Sequence, residues 1–250
     1  MRSLRIFFRC CLPVESLNKN IDRPFGLKKR DLILKSLKSL LESCSEVKNK
    51  IKFNIIDDSS GEEFIKELER LMNNYPFEYK IHKNKFKNNG LSLKETFKLA
   101  EKAKEDIFYF CEDDYIHLKE TIPEIITLYE EKPFNKKYFG VFPADDPGRY
   151  IYVQPTYLFL GKNRYWRTTI NTTGTFFINK KIFHKFKENF FGLAEFNIKG
   201  WGGENEYLVP LWKKIPCFVP VNSLTAHIET KDTLPPFIDW KKIIERIKIN

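Results

Sequence analysis

Two clusters of carboxylates punctuate the first half of the chain, Asp57-Asp58 and Glu112-Asp113-Asp114. Acidic loop residues commonly cap helices or form turns, and Asp57-Asp58 taken alone asks for nothing more. Three adjacent carboxylates repel one another, and a bound cation is the direct remedy. A third group, Gly200-Trp201-Gly202-Gly203-Glu204-Asn205-Glu206, sets adjacent glycines before two glutamates. Such glycines let the backbone approach a ligand closely, and a carboxylate opening a helix there suits a general base or an acceptor anchor. His227, in Leu224-Thr225-Ala226-His227, is a candidate metal ligand beside carboxylate oxygens.

The elements that must position these groups alternate between strand and helix. Leu4–Cys11 is apolar and β-prone, and residues 28–44 carry Leu32, Ile33, Leu37, Leu40 and Leu41 at helical spacing. Lys52–Ile56 reads as a buried strand ending in Asp57-Asp58, followed by a helix with Phe64, Ile65, Leu68 and Leu71. Phe77–Ile81 is a third strand. After Asn88-Asn89-Gly90, Ser92 is the expected N-cap, with Glu95 three residues on. Asp106–Cys111 is the fourth strand, leading into Glu112-Asp113-Asp114. Alternation of this kind predicts β-α-β units in a covered sheet, with ligands at the carboxyl ends of the strands, where both acidic clusters fall.

The second half is less regular. Tyr138–Phe142 and Tyr150–Leu160 read as strands, and Gly161-Lys162-Asn163 as a turn into a hairpin with Arg164–Thr169. Gly174–Ile178 is a further strand, followed by a helix from about Lys180. A helix through Leu208 and Trp212 follows Glu204, and a strand over Cys217–Val221 precedes His227. No linker divides the chain, so residues 1–250 are expected to form one domain, with a regular half to residue 135 and a less regular half from 136.

At 42% hydrophobic and 15% aromatic residues, the chain can bury one substantial core. No apolar stretch is long enough to span a bilayer, and Arg5 and Arg9 break the N-terminal run, so a cytoplasmic protein is expected. The five cysteines are scattered, without paired zinc-site spacing, and most of them read as buried, reduced thiols. The formal charge of +10 would draw nucleic acid, an anionic membrane surface or phosphorylated ligands. Lysines interleaved with glutamates, as in Lys94–Glu105, read instead as solvated helix faces. A nucleic-acid module would not set carboxylates at its strand ends, so no nucleic acid is expected, while peripheral membrane contact stays open.

Together these segments resemble the GT-A glycosyltransferases. Gly200-Trp201-Gly202-Gly203-Glu204-Asn205 is similar to the acceptor-side motif of the β-1,4-galactosyltransferases and polypeptide N-acetylgalactosaminyltransferases. Phe108–Asp114 resembles the strand leading to that fold's D-x-D metal motif, and Phe53–Ser60 the second-strand segment of family 2 enzymes, where an aspartate contacts the base. Asn171–Ile178 looks like the strand before the acceptor loop. The resemblance runs from residue 4 to about 230.

It implies an α/β, Rossmann-like mixed sheet flanked by helices and a metal-dependent transfer of sugar from a nucleotide-diphosphate sugar, with UDP the expected nucleotide. The acceptor would be a glycan, a lipid-linked or a protein hydroxyl. Asp114, Glu112 and His227 are the implied ligands of Mn²⁺ or Mg²⁺. Asp58, or else Asp57, is implied to accept from the base or ribose, with Arg9 and Asp113 also on the donor and Trp201, Gly202 and Gly203 lining the site. Glu204 is the implied base, Glu206 its alternative. Two departures stand out: Asn205 replaces the galactosyltransferases' catalytic aspartate, which leaves inversion favoured and retention open, and the triplet is Glu-Asp-Asp. A nucleotidyltransferase or metal-dependent hydrolase on a related sheet is the alternative enzyme.

Overall fold

The computed structural model describes residues 2–13, 23–151 and 154–249. The first half runs β1 (Leu4–Cys10), α1 (Lys29–Ser45), β2 (Ile51–Asp58), α2 (Glu62–Asn73), β3 (Glu78–Asn84), α3 (Asn89–Lys102) and β4 (Ile107–Glu112). These strands pair in parallel in the order β3-β2-β1-β4. β1, β2 and β4 are buried along most of their length, as strands covered on both faces must be.

The second half runs β5 (Tyr115–His117), α4 (Thr121–Glu131), β6 (Gly140–Val141), β7 (Leu158–Leu160), β8 (Tyr165–Thr169), β9 (Phe176–Asn179), α5 (Lys180–Lys185), α6 (Lys187–Lys199), α7 (Glu204–Lys214), β10 (Cys217–Pro220), β11 (Thr225–His227) and α8 (Trp240–Arg246). Its strands extend the first sheet into a nine-stranded one, ordered β3-β2-β1-β4-β9-β6-β10-β8-β7. The seam is β9, antiparallel to β4, where Tyr109 and Phe177 stack with ring centroids 3.6 Å apart. The sheet is therefore mixed, and it is continuous across the two halves. A separate two-stranded sheet pairs β11 with β5.

Aromatic side chains fasten the helices to this sheet. Phe97 of α3 meets Phe110 edge-on at 5.3 Å and Phe190 of α6 at 5.6 Å, and Phe183 packs on Phe190 at 5.1 Å. Each such pair contributes about 0.5–1.5 kcal/mol beyond its area burial. Among the described residues, no helix is long and apolar enough to cross a membrane, and all five cysteines are free thiols.

Several boundaries differ from the sequence reading. β2 continues through Asp58, so both aspartates are strand residues rather than loop residues. The cap of α3 is Asn88, not Ser92: its side chain accepts from the Leu91 amide, and Ser92 is buried within the first turn. Asp58 takes the amides of Lys87 and Asn88 and so begins the helix earlier than the Ser92 signal suggests. The strand expected over Tyr138–Phe142 shrinks to two residues. Most of Tyr150–Leu160 is not strand, because Pro147 opens a 3-10 turn through Tyr150 and Pro155 lacks an amide for a ladder; residues 152 and 153 of that span lie outside the described residues. The helix from Lys180 is two helices, broken at Phe186.

Candidate functional site

The strand ends build the floor of a cavity of about 770 Å³. Arg9 and Glu112 are register partners on neighbouring parallel strands, so their side chains leave the sheet together and meet at 2.7 Å. The other arm of the guanidinium donates to Asn89 Oδ1 at 2.7 Å. Lys29, the first residue of α1, reaches Asp113 at 2.5 Å, and the Cys11 amide donates to the same carboxylate at 3.0 Å. The short β5–β11 ladder sets His227 opposite Tyr115, with the rings stacked at 4.7 Å, and delivers His227 Nε2 to Asp114 Oδ2 at 3.2 Å.

Each carboxylate of the triplet thus has its own cation: Arg9 for Glu112, Lys29 for Asp113, His227 for Asp114. The repulsion that the sequence reading resolved with a metal is largely answered by these side chains. Burial works against charge on His227, but Asp114, with Glu229 and Glu112, outweighs it and holds the imidazole up to about 9. Burial would likewise raise Asp114, yet His227 and Lys29 keep it well below the usual carboxylate range. Glu112 is raised, chiefly by burial, against the pull of Arg9.

One atom in this arrangement is unanswered. Asp114 Oδ1 is buried and has no hydrogen-bond partner. A divalent cation bound at Asp114 Oδ1 would satisfy it, and His227 could join as a ligand only by giving up the proton it holds against Asp114. Among the described residues, no three histidine, cysteine or acidic side chains are gathered as a metal-binding group, so Glu112 would have to share its hold on Arg9 to complete the expected set.

The opposite wall comes from the loop between α6 and α7. Gly202 and Gly203 both have left-handed φ, +98° and +87°, which a side chain would strain. A Cβ on Gly203 would also lie 3.0 Å from the Phe196 ring. The turn presents Trp201, half exposed at 55%, and Glu204, whose carboxylate sits at the positive end of α7. Asn197 braces this loop: its side-chain amide donates to the carbonyls of Gly202 at 2.6 Å and Leu193 at 2.9 Å, and its Oδ1 accepts from Asn89 at 3.2 Å. A hydrogen-bonded chain therefore runs Glu112, Arg9, Asn89, Asn197, Gly202 from the acidic triplet to the glycine loop.

The cavity brings together Arg9, Asp58, Glu112, Asp113, Asp114, Trp201, Gly202, Glu204 and His227 of the residues expected from sequence. It does not include three others. Asp57 turns to the Cys10 thiol and the Ser60 amide. Gly203 is buried beneath the loop and shapes it without lining the cavity. Glu206 is exposed, two residues round the helix from Glu204. Asp58 lines the wall with most of its acceptor capacity already taken by Ser59 and by the amides of Lys87 and Asn88. Sequence reasoning missed Lys29, Lys87, Asn89, Asn197 and Lys199, which also line the cavity. For Lys29 a signal existed, since the run Lys28-Lys29-Arg30 opens a helix whose N-terminus disfavours positive charge unless a carboxylate answers it.

A family profile described as Glycosyl transferase family 2 matches residues 27–198. The chain belongs to glycosyl transferase family 2. The match covers α1 through α6 and so includes the acidic triplet and Asn197, while the glycine loop and His227 lie beyond it. No curated protein sequence matches the chain. Among solved structures, S. aureus TarS superposes with a TM-score of 0.57 at 11% identity, covering 89% of this family 2 chain and 36% of TarS. The TarS 1-349 fragment in complex with UDP gives 0.57 at 12% identity, covering 89% of this chain and 59% of the fragment. HddC from Yersinia pseudotuberculosis gives 0.54 at 13% identity, covering 99% of this chain and 100% of HddC. At these identities the likeness is one of fold, and it agrees with the GT-A architecture expected for a family 2 member.

Proposed function

We propose that this family 2 chain transfers a sugar from a nucleotide-diphosphate sugar, UDP-linked, to an acceptor hydroxyl, with a divalent cation and with inversion. The observation that carries the reading is the single cavity in which the ends of β1, β2 and β4, the β11 histidine and the loop before α7 converge. The UDP bound by the TarS fragment supports the choice of nucleotide. Residues 1–135 would hold the donor and residues 136–250 the acceptor, a glycan, lipid-linked or protein hydroxyl.

Arg9 and Lys29 draw the anionic donor into the cavity, and Asp58 accepts from base or ribose with the capacity it has left. Asp114 and His227, with Glu112, would hold Mn²⁺ or Mg²⁺, which offsets charge on the departing diphosphate. Trp201 offers a ring face to the acceptor sugar. Glu204, facing the cavity from the positive end of α7, takes the acceptor proton as the new glycosidic bond forms. Asn205 carries no basic carboxylate, and Glu206 points to solvent, so the proton has one nearby destination on this loop.

The test is a thermal-shift screen of nucleoside diphosphates with and without Mn²⁺, followed by turnover of the UDP-sugar that stabilises most. The expected outcome is a Mn²⁺-dependent rise in Tm with UDP and release of UDP on addition of acceptor. Equal response to all nucleotides, or none, would sink the reading. Product of retained anomeric configuration would remove inversion alone.

A further inference from the structure

The far edge of the sheet carries an apolar surface that the active site does not use. Most of the large apolar side chains exposed among the described residues fall between residues 134 and 165. β7 is the edge strand, and its alternation is unusual. Phe159 points inward, meeting Phe218 at 5.0 Å and Phe134 at 4.9 Å. Its neighbours Leu158 and Leu160 point the other way and are 62% and 67% exposed. Tyr165, opposite Leu160 in the β7–β8 ladder, is 54% exposed beside it. Edge strands are usually blunted by charge on the solvent face, and here that face is apolar. A notch of about 280 Å³ opens between Phe134 and Leu160.

Exposed lysines flank Phe134 and Leu160 along the chain. Lys132, Lys136, Lys137 and Lys162 are all exposed, and they come from the two segments that carry Phe134 and Leu160. Glu130 and Glu131 are the acidic side chains of those segments, and Arg164 is balanced by Glu124 at 3.4 Å. The lysines therefore leave a net positive rim. A two-fold contact between copies of the chain would bring two net-positive rims together, and protein interfaces are depleted in lysine. An anionic lipid surface answers both features, because phosphates take the lysines while tyrosine and leucine side chains enter the headgroup layer.

We propose that this sheet edge seats the protein on an anionic membrane surface, with Leu158, Leu160 and Tyr165 on one side of β7 and Phe134 on the other entering the lipid, and Lys132, Lys136, Lys137 and Lys162 lying against its phosphates. The proposal is independent of the sugar-transfer reading, since none of these residues lines the catalytic cavity. It is tested by co-sedimentation of the purified chain with vesicles of phosphatidylcholine alone and of phosphatidylcholine with phosphatidylglycerol, at low and high salt.

The expected outcome is binding to the phosphatidylglycerol vesicles, release by salt, and little binding to phosphatidylcholine. Leu158→Ser with Leu160→Ser, at positions already exposed, should keep the parent Tm and lower the partition coefficient about tenfold or more. Changing the four lysines to Gln should lower it about as much while leaving the apolar face intact. Absence of phosphatidylglycerol-dependent binding by the parent overturns the proposal. So does parent-like binding by either variant. Self-association abolished by the leucine substitutions, without vesicle binding, assigns the face to a second copy instead.

Discussion

At the scale of single residues, the cavity separates two glutamates that the sequence left as alternatives. Glu204→Gln keeps size and hydrogen bonding but removes the basic carboxylate, so turnover is expected to fall about 10²-fold or more while donor affinity hardly moves. Glu206→Gln, exposed and outside the cavity, is expected to retain near-parent turnover. Initial rates and nucleotide titrations of both variants check this, and loss of turnover in Glu206→Gln alone would exchange the roles. Asp114 is a case where the structure reverses an expectation drawn from charge alone. Repulsion within the triplet suggests that Asp114→Ala relieves the fold, but Asp114 is the partner of a half-buried His227. Removing one member of such a pair strands the other. Asp114→Ala is therefore expected to abolish Mn²⁺-dependent UDP binding and also to lower Tm, by about 3 °C or more. Calorimetry and thermal unfolding read the two effects separately, and an unchanged Mn²⁺-dependent affinity would reject the metal assignment.

At the scale of elements, the junction of α3 and α6 is the least forgiving. A Cβ on Gly90 would lie 2.1 Å from the Ile198 amide nitrogen and 2.4 Å from the Asn197 carbonyl carbon, both backbone atoms that cannot turn aside. Gly90→Ala must push the helices apart, at a cost of about 1–3 kcal/mol. Because Asn197 braces the Gly202 carbonyl, the same shift should raise the acceptor KM more than the donor KM. Gly200→Ala is the control for stability alone, with φ near −170° and open space around its Cβ, and it should leave the urea midpoint nearly unchanged. Urea unfolding and the two KM values test the pair. If Gly90→Ala unfolds like the parent, the close approach of the helices is wrong. From sequence, Asn88-Asn89-Gly90 read as a loop because local chemistry favours turns there. Only the α6 backbone, distant in sequence, shows why a glycine stands in the first turn of a helix.

At the scale of the whole molecule, stability in acid is tied to His117, the last residue of β5, buried beneath α1. Its Nε2 lies 2.7 Å from the Tyr109 hydroxyl, and burial pushes the imidazole down to about 3. A folded value below the unfolded one means that the stability is present above pH of about 6.5 and is lost as pH falls from there toward 3. The slope in that window is up to about 1.4 kcal/mol per pH unit. His117→Gln should flatten the fall in urea midpoint below neutrality relative to the parent, a difference in which the other histidines cancel. Parallel pH profiles would show that His117 is protonated in the native state. The sequence by itself determined the alternating elements of the first half, the strand leading to the acidic triplet, and the glycine loop with its glutamates. Those signals are local, because hydrophobic period, turn residues and strand-end carboxylates act within a few positions of one another. Tertiary structure alone decided that β9 joins the halves, that a two-residue β6 suffices as a strand, and that Arg9, Lys29 and His227 each answer one carboxylate. It also decided that Asp57 and Glu206 turn away from the cavity while Glu204 faces it. Pairing across about a hundred residues depends on register and packing, which no local pattern encodes.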